Sequence, residues 1–558
     1  MFASTASTQH LAAQTAKWKS LWIDSSHNKQ GSTTQLPFVD SLVADDDDPC
    51  SDSLWHNKVL QSLPPIWVRQ FEGVSKSFKI NTTHIDGWHP RQFGDLSDGA
   101  ISALIELFHA CESTGLWPYV QQSLHVLMLP KTDGDRRPIL QFRSAFRLWS
   151  RIRSSIVKTW FRAQGLAVSQ MNNLSGQHVG DEVSRCVVRS GLANCNGQKV
   201  IECLWDVSKA FDRVLHPKLV ELAAVQNYHL KILRLSILSY TFERRIVVDS
   251  IVGEPLIPVR GIGPGSAFAV HELAVVMHPA VVAVRAWPSV ILNIHVDDVS
   301  LNSTADSIFE ARTPLLQAGA CVVDIVEKAA GLTFSSEKAQ LISNDDELAR
   351  STAVLMGIRH GSVESSVRRI GYDYSLKDRG VHLRPSRGFV ARQRVRNHFI
   401  RFFRLKKLAT IDKKPVKLFT AGALPAVLFG AEVWGVSTSF KKKLRVQALQ
   451  TIGLGVRGTN TAVPWALLRS ADDPWLKASW LPFERYHREI WMSDTKFEAA
   501  IPLTDLARCC MIARQTKLGP TIRPLSRLRK SVVLSSVLIK LSVSTAQKWS
   551  SDPFRPQD

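Results

Sequence analysis

The sequence predicts an α+β protein in which antiparallel hairpins are joined by amphipathic helices. Three observations predict it. Ile294-His295-Val296-Asp297-Asp298-Val299-Ser300-Leu301 sets two adjacent acids between β-favouring runs, Val290 to Val296 before them and Val299 to Leu301 after, the pattern of a hairpin with both acids at its tip. Lys199 to Trp205 reads as a buried strand running into Asp206. Between Asp98 and Leu116 the apolar residues Ile101, Leu104, Ile105, Leu107 and Phe108 recur at helical spacing.

The acids carry the chemistry. Side chains alternate along a strand, so a bare Asp-Asp pair cannot put both carboxylates on one sheet face, whereas at a tight turn both can reach one point. Paired carboxylates repel, and a divalent cation relieves the repulsion. A solvated turn is the plain alternative, since Asp favours turns. Asp206 adds a third acid at a strand's end, and Val207-Ser208-Lys209-Ala210-Phe211-Asp212 comes next. Two Mg²⁺ ions about 3.5–4 Å apart need bridging carboxylates from separate strands, which is the demand of two-metal phosphoryl transfer.

Asp206 to Asp212, taken with His295-Val296-Asp297-Asp298, resembles motifs A and C of reverse transcriptases, especially those of non-LTR, LINE-like retrotransposons. The resemblance implies a right-hand polymerase with fingers, a palm built on an antiparallel sheet, and a helical thumb. It implies an RNA-directed DNA polymerase acting on an RNA template, a DNA primer and dNTPs, with two Mg²⁺ ions or Mn²⁺. Asp206 and Asp297 would hold both ions, with Asp298 assisting.

Composition agrees with a nucleic-acid partner. The chain has 558 residues, 45% hydrophobic and 21% charged, enough for more than one domain. Its net charge of +21 favours a polyanion. Eight cysteines show no metal-binding or disulfide spacing and read as reduced thiols. The first thirty residues lack an apolar core of the secretory kind, so an intracellular location, nuclear or cytoplasmic, is expected. The apolar stretch from Ala267 to Ile294 is broken by Glu272, Pro279, Arg285 and Pro288, so no membrane span is expected.

In chain order, residues 1–65 are Ser/Thr/Gln-rich, include Asp45-Asp46-Asp47-Asp48, and read as a disordered lead-in. Fingers are expected over 66–200. There Val126 to Lys131, a turn centred on Asp133-Gly134, and a second strand through Arg137-Pro138-Ile139 form a hairpin. By resemblance, Lys131 and Arg137 would clamp a triphosphate. Phe142 to Phe161 reads as a basic amphipathic helix, with Arg143, Arg147, Arg151, Arg153 and Lys158 set towards the template backbone.

The palm is expected over 201–380. His216 to Val248 reads as helix, helix, strand. Arg260-Gly261-Ile262-Gly263-Pro264-Gly265-Ser266 resembles motif B, whose small residues admit nucleic acid closely; Arg260 and Gly261 would meet substrate. The family's usual Gln-Gly is here Arg260-Gly261, and its Ser-Pro is Ala269-Val270. Pro314 to Ala330 reads as a helix capped by Thr313. Gly331 to Lys338 resembles motif D, where Lys338 would protonate the leaving pyrophosphate, and Arg369 to Tyr374 resembles motif E. Phe211, five residues after Asp206, occupies the family's sugar-sensing position.

A basic helical thumb is expected over 381–455, where Arg384 to Lys417 holds twelve Lys/Arg against one acid. Its nucleic-acid candidates are Arg392, Arg394, Arg396, Arg401 and Arg404. Residues 456–558 read as a helical region of no assigned role. Two alternatives stay open: a catalytically inactive or domesticated relic, given the altered motif B, and an RNA-directed RNA polymerase, whose motif A also spaces two acids as Asp206 and Asp212 are spaced. Val296, where those polymerases usually carry Gly, argues against the second.

Overall fold

The structure, a computed structural model, describes residues 5–23, 62–82, 84–131, 135–163 and 179–357, with shorter stretches between 362 and 485. The chain divides into two compact units: Met1–Ala167, Asp206–Ala286 and Ala318–Ser335 form one, and Val168–Trp205, Trp287–Gln317 and Ser336–Asp558 the other. Both mix helices with antiparallel and mixed sheets, the α+β class expected.

The first unit begins with α1 (Thr5–Trp22) and α2 (Val68–Lys76). The expectation of a disordered lead-in over 1–65 is corrected for Thr5–Trp22; residues 24–61 lie outside the described ones. Polar composition hid the reason. Leu11, Trp18 and Trp22 fall on one helical face, and all three are buried. Next comes α3 (Asp98–Thr114), started by Ser97, whose hydroxyl accepts from the Ala100 N–H, and ended by Gly115 at φ 72°.

Strands β1 (Ser123–Pro130) and β2 (Arg136–Gln141) pair antiparallel from His125↔Gln141 to Pro130↔Arg136, the hairpin expected, although the turn residues 132–134 lie outside the described ones. Helix α4 (Ser144–Ala163) comes after them. Its basic face is corrected at Arg153, which is buried and donates through Nε and Nη2 to Glu112 at 2.6 and 2.7 Å. Arg151 and Lys158 remain exposed. Trp117, Phe146, Trp149 and Phe268 pack edge-on or tilted, with centroids 5.2–5.7 Å apart, and form the aromatic core.

The second unit opens with α5 (Val179–Cys195) and β3 (Lys199–Asp206). The chain then returns to the first unit for a short helical turn, Ala210–Arg213, and for α6 (His216–Val225), α7 (Leu230–Tyr240), β4 (Glu243–Val248) and β5 (Ile251–Leu256). Helix, helix, strand is the order expected. The first unit's sheet runs β2-β1-β4-β5, with β1 parallel to β4 and the other pairs antiparallel. Helix α1 packs on β4 and β5. Helix α8 (Ala269–Val284) carries buried Glu272.

In the second unit β6 (Val290–His295) and β7 (Asp298–Ala305) join β3, Gln340–Ser343 (β8) and Ser362–Val363 (β9) in a five-stranded sheet ordered β6-β7-β3-β8-β9. The helix expected from Pro314 instead begins earlier, as α9 (Ile308–Val323), with Pro314 inside it. The stronger start signal is Ser307 with Glu310: the Ser307 hydroxyl accepts from the Glu310 N–H at 3.2 Å, and the Glu310 carboxylate accepts from the Ser307 N–H at 3.2 Å. A π-helical segment, Asp324–Ala329, continues it.

Then come β8 (Gln340–Ser343), α10 (Asp346–Met356), β9 (Ser362–Val363) and the pair β10 (Val367–Arg369) and β11 (Tyr372–Tyr374). A helical region comes after them, with α11 (Phe389–Leu408), short segments between Pro415 and Trp434, and α12 (Thr438–Thr451). Phe402, Phe419, Leu424, Leu428, Leu444 and Leu449 form its core. Among the described residues no helix is long and apolar enough to cross a membrane.

Glu272 yields a test. Burial pushes its carboxyl up from an ordinary 4.5 to about 7, against the pull of the Ser236 and Tyr240 hydroxyls that donate to it at 2.6 and 2.5 Å. A raised native pKa means the folded state holds the proton more tightly. This group's stabilisation is therefore full below pH 4.5 and lost as pH rises through about 7. The loss expected is on the order of 3 kcal/mol. Urea unfolding of Glu272→Gln across this window should show a flatter pH profile than the wild type; an identical slope would remove Glu272 as the cause.

Candidate functional site

Strand β3 is buried along six consecutive residues and emerges at Asp206, which is half-buried. Backbone pairing holds the chain from there to Ser208. The Ser335 N–H donates to the Asp206 carbonyl at 2.8 Å, Val207 bridges antiparallel to Phe334, and the Ser208 N–H donates to the Thr333 carbonyl at 2.8 Å. The segment resembling motif A is thus zipped to the one resembling motif D.

The hairpin forms as the sequence predicts. His295 pairs with Asp298, leaving Val296 and Asp297 as a two-residue turn. Val296 has φ +61°, whereas Asp297 is not among the residues of positive φ. Positive φ at the first central position alone is the II′ pattern, which favours Gly there. A β-branched residue in that region is strained by about 1–3 kcal/mol. Asp297 sits in the turn and Asp298 starts β7; both are half-buried. In the sheet β7 lies beside β3.

The donor chemistry of Asp206, Asp297 and Asp298 is all carboxylate oxygen, which suits Mg²⁺. None of the three is without an interaction partner, and among the described residues no group of three or more His, Cys, Asp or Glu is drawn together so as to hold a metal.

The remaining predicted residues disperse. Lys338 is exposed in the turn before β8. Lys131 lies just past β1 with its Nζ 3.6 Å from an Asp135 carboxylate oxygen. Arg137 is exposed on β2, opposite Leu129. Phe211 is half-buried and outside the core, and its carbonyl accepts from the Ile262 N–H at 2.7 Å.

Both candidate residues of the segment resembling motif B make contacts within the fold. Arg260 Nε donates to the Leu21 carbonyl at 2.7 Å, closing the C-terminal end of α1. Gly261, at φ +90°, is needed because a Cβ there would meet the Asp212 backbone at 2.9 Å; its close approach is to its own chain.

Farther along, Arg396, Arg401 and Arg404 are exposed on α11. Arg394 instead stacks on Phe429, 4.4 Å from the ring, and donates to the Phe429 carbonyl at 3.2 Å. The Arg392 side chain lies outside the described residues. Tyr372, in the segment resembling motif E, hydrogen-bonds Glu432 at 2.5 Å, and burial pushes its phenol up.

Sequence reasoning missed the contribution of α1. The Trp22 indole N–H donates to the buried Asp212 carboxyl at 2.9 Å, and the Arg244 guanidinium stacks 4.6 Å from the same ring. Burial raises the Asp212 carboxyl and lowers Arg244 to about 10. The signal was present in the spacing Leu11, Trp18, Trp22.

Relieving the turn strain is measurable. Val296→Gly should stabilise the protein by about 1 kcal/mol, the positive-φ penalty being partly offset by the greater freedom of unfolded Gly. An unchanged or lower urea midpoint would show that the turn is not strained.

In comparisons with known proteins, no protein-family profile and no curated protein sequence matches the chain. Among solved structures the chain is similar to apo telomerase from Candida tropicalis truncated from its C-terminal domain, at TM-score 0.33 and 13% identity, over 47% of this chain and 55% of that one. The chain therefore spans about half the length of that neighbour.

Proposed function

We propose that the chain is an RNA-directed DNA polymerase of a retroelement, a reverse transcriptase of the LINE-like kind, adding deoxynucleotides to a primer by two-metal nucleotidyl transfer. The observation that supports this reading is a buried strand ending in Asp206, combined with a neighbouring hairpin whose strained turn carries Asp297 and leads into Asp298. Turns strained at a β-branched residue persist where the surrounding structure over-determines them, and they concentrate at functional sites.

Asp206 and Asp297 would hold two Mg²⁺ ions, with Asp298 beside them. Bound there, the ions supply charge that lowers the pKa of the primer hydroxyl and stabilises the leaving phosphates. The chain's own part is positioning. Lys131 and Arg137 engage the triphosphate, Lys338 gives a proton to the departing pyrophosphate, and Phe211 crowds the sugar C2′. Exposed Arg396, Arg401 and Arg404 meet template phosphates.

A second reading, a nucleic-acid-binding relic without catalysis, is favoured by one observation: Arg260 and Gly261 are both occupied within the fold.

Primer extension on poly-A and heteropolymer RNA, with dNTPs or rNTPs and Mg²⁺ or Mn²⁺, separates these. Wild type should extend with dNTPs. Asp206→Ala and Asp297→Ala should abolish extension while leaving RNA binding intact or slightly tighter. Extension at the wild-type rate by Asp206→Ala would refute the metal assignment, and template binding without extension by the wild type would select the relic. In the same assay Phe211→Val should raise ribonucleotide use about ten- to a few-hundredfold, since overpacking against a 2′-hydroxyl costs about 1–3 kcal/mol. Unchanged sugar preference in a folded variant would dismiss that role.

A further inference from the structure

The turn that carries Phe211 does not hold itself in place. Ala210–Arg213 is a single helical turn of 4 residues, too short to persist without tertiary contacts. The Phe211 ring is half-buried and outside the core, so packing does not fix it either. Its position falls to the backbone and to the residue beside it.

The ties come from one segment, 259–262, and from the end of α1. The Ile262 N–H donates to the Phe211 carbonyl at 2.7 Å, and the Gly261 N–H donates to the Val214 carbonyl at 2.8 Å. The two residues before them grip α1. The Val259 N–H donates to the Trp22 carbonyl at 3.1 Å, and Arg260 Nε donates to the Leu21 carbonyl at 2.7 Å. The Trp22 indole N–H closes the triangle by donating to an Asp212 carboxylate oxygen at 2.9 Å. Asp212 is the residue directly after Phe211. Trp22 is itself fully buried, with the Arg244 guanidinium 4.6 Å from its ring.

We propose that Trp22 is a positioning residue for sugar choice: by holding Asp212, its indole N–H fixes where the Phe211 ring stands against the incoming sugar. The proposal rests on the polymerase reading, in which Phe211 crowds C2′.

Steric exclusion works only if the excluding ring cannot retreat. Overpacking is relieved by off-rotamer side chains and backbone shifts, so a selective contact has to be held to within about 0.5 Å. Ile262 and Gly261 hold the Phe211 turn on one side through the backbone, and Gly261 also lies close against the Asp212 backbone. Trp22 holds it through a side chain, from an element more than a hundred residues away in sequence. Removing that bond frees the Asp212 side chain and leaves the backbone ties in place. The discrimination lost cannot exceed what one hydrogen bond supplies, about three- to tenfold. The rest belongs to the ring and to its backbone ties.

The test is single-nucleotide extension by the full chain, comparing a dNTP with the matching rNTP, beside melting temperature. Trp22→Phe keeps a ring for Arg244 and deletes the N–H. Its ratio of ribonucleotide to deoxynucleotide use should rise about three- to tenfold. Asp212→Asn keeps an oxygen that can accept from the indole, so its ratio should stay near that of the wild type. Trp22→Phe added to Phe211→Val should raise the ratio no further, since no ring remains to be positioned. Should Trp22→Phe fail to fold because it strands a buried acid, Trp22→Phe with Asp212→Leu removes both partners together and should show the same rise. An unchanged ratio in a folded variant that lacks the bond overturns the proposal, as does an equal rise in the Phe211→Val background. Slower use of both nucleotides at constant ratio, with a lower melting temperature, also overturns it and makes Trp22 a strut. A wild-type chain that extends no primer sinks the polymerase reading and this inference with it. A wild type that extends while the ratio ignores Trp22 sinks the inference alone.

Discussion

The buried carboxyl of Asp212 ties the first unit together. A carboxyl removed from water is costly unless its oxygens are hydrogen-bonded. Here the Trp22 indole supplies a donor, and fully buried Arg244 stacks on that indole while donating to the Tyr240 carbonyl at 3.0 Å. Three sequence-distant elements meet at this point: α1, the turn after β3, and β4. Gly261 abuts the Asp212 backbone, and the His216 ring bonds the Gly261 carbonyl at 2.9 Å. Disturbing the indole would leave a buried acid short of a partner, so α1 is integral to the unit. The same commitment engages one Asp212 carboxylate oxygen within the fold.

Backbone strain is distributed in a telling way. Among the described residues, the non-glycine positions of positive φ are Lys209, Asn227, Asp249, Ser250 and Val296. Asn and Asp tolerate that conformation because their short polar side chains bond locally. Lys and Val have no such excuse, and both lie within three residues of a candidate catalytic acid, Asp206 or Asp297. In one case the strain delivers an ammonium over the Trp18 ring; in the other it closes a two-residue turn that carries an acid.

Much of the candidate site was legible locally. The β6–β7 hairpin arises from β-branched runs around a turn-favouring pair, and β3 from a continuous apolar run, both of short range. The start of α9 was misread because Thr313-Pro314 is a good cap signal, and Ser307 with Glu310, a few residues earlier, is a better one. Arg153 was assigned to a nucleic-acid face because helical periodicity marks a stripe as basic without saying that Glu112 waits on the inner side.

By itself the sequence determined where strands and helices begin to be favourable, which residues can stand at a hairpin tip, and that the chain suits a polyanion. These depend on neighbours within a few residues. Tertiary structure decided that the polar segment Thr5–Trp22 is an ordered helix, that Gly261 faces its own chain, and that Lys17 and Lys131 share the Asp135 carboxylate. The physical reason is sequence separation. The Trp22–Asp212 bond closes across 190 residues and Lys17–Asp135 across 118, and no local pattern records the partner that makes burying a tryptophan or a charge favourable.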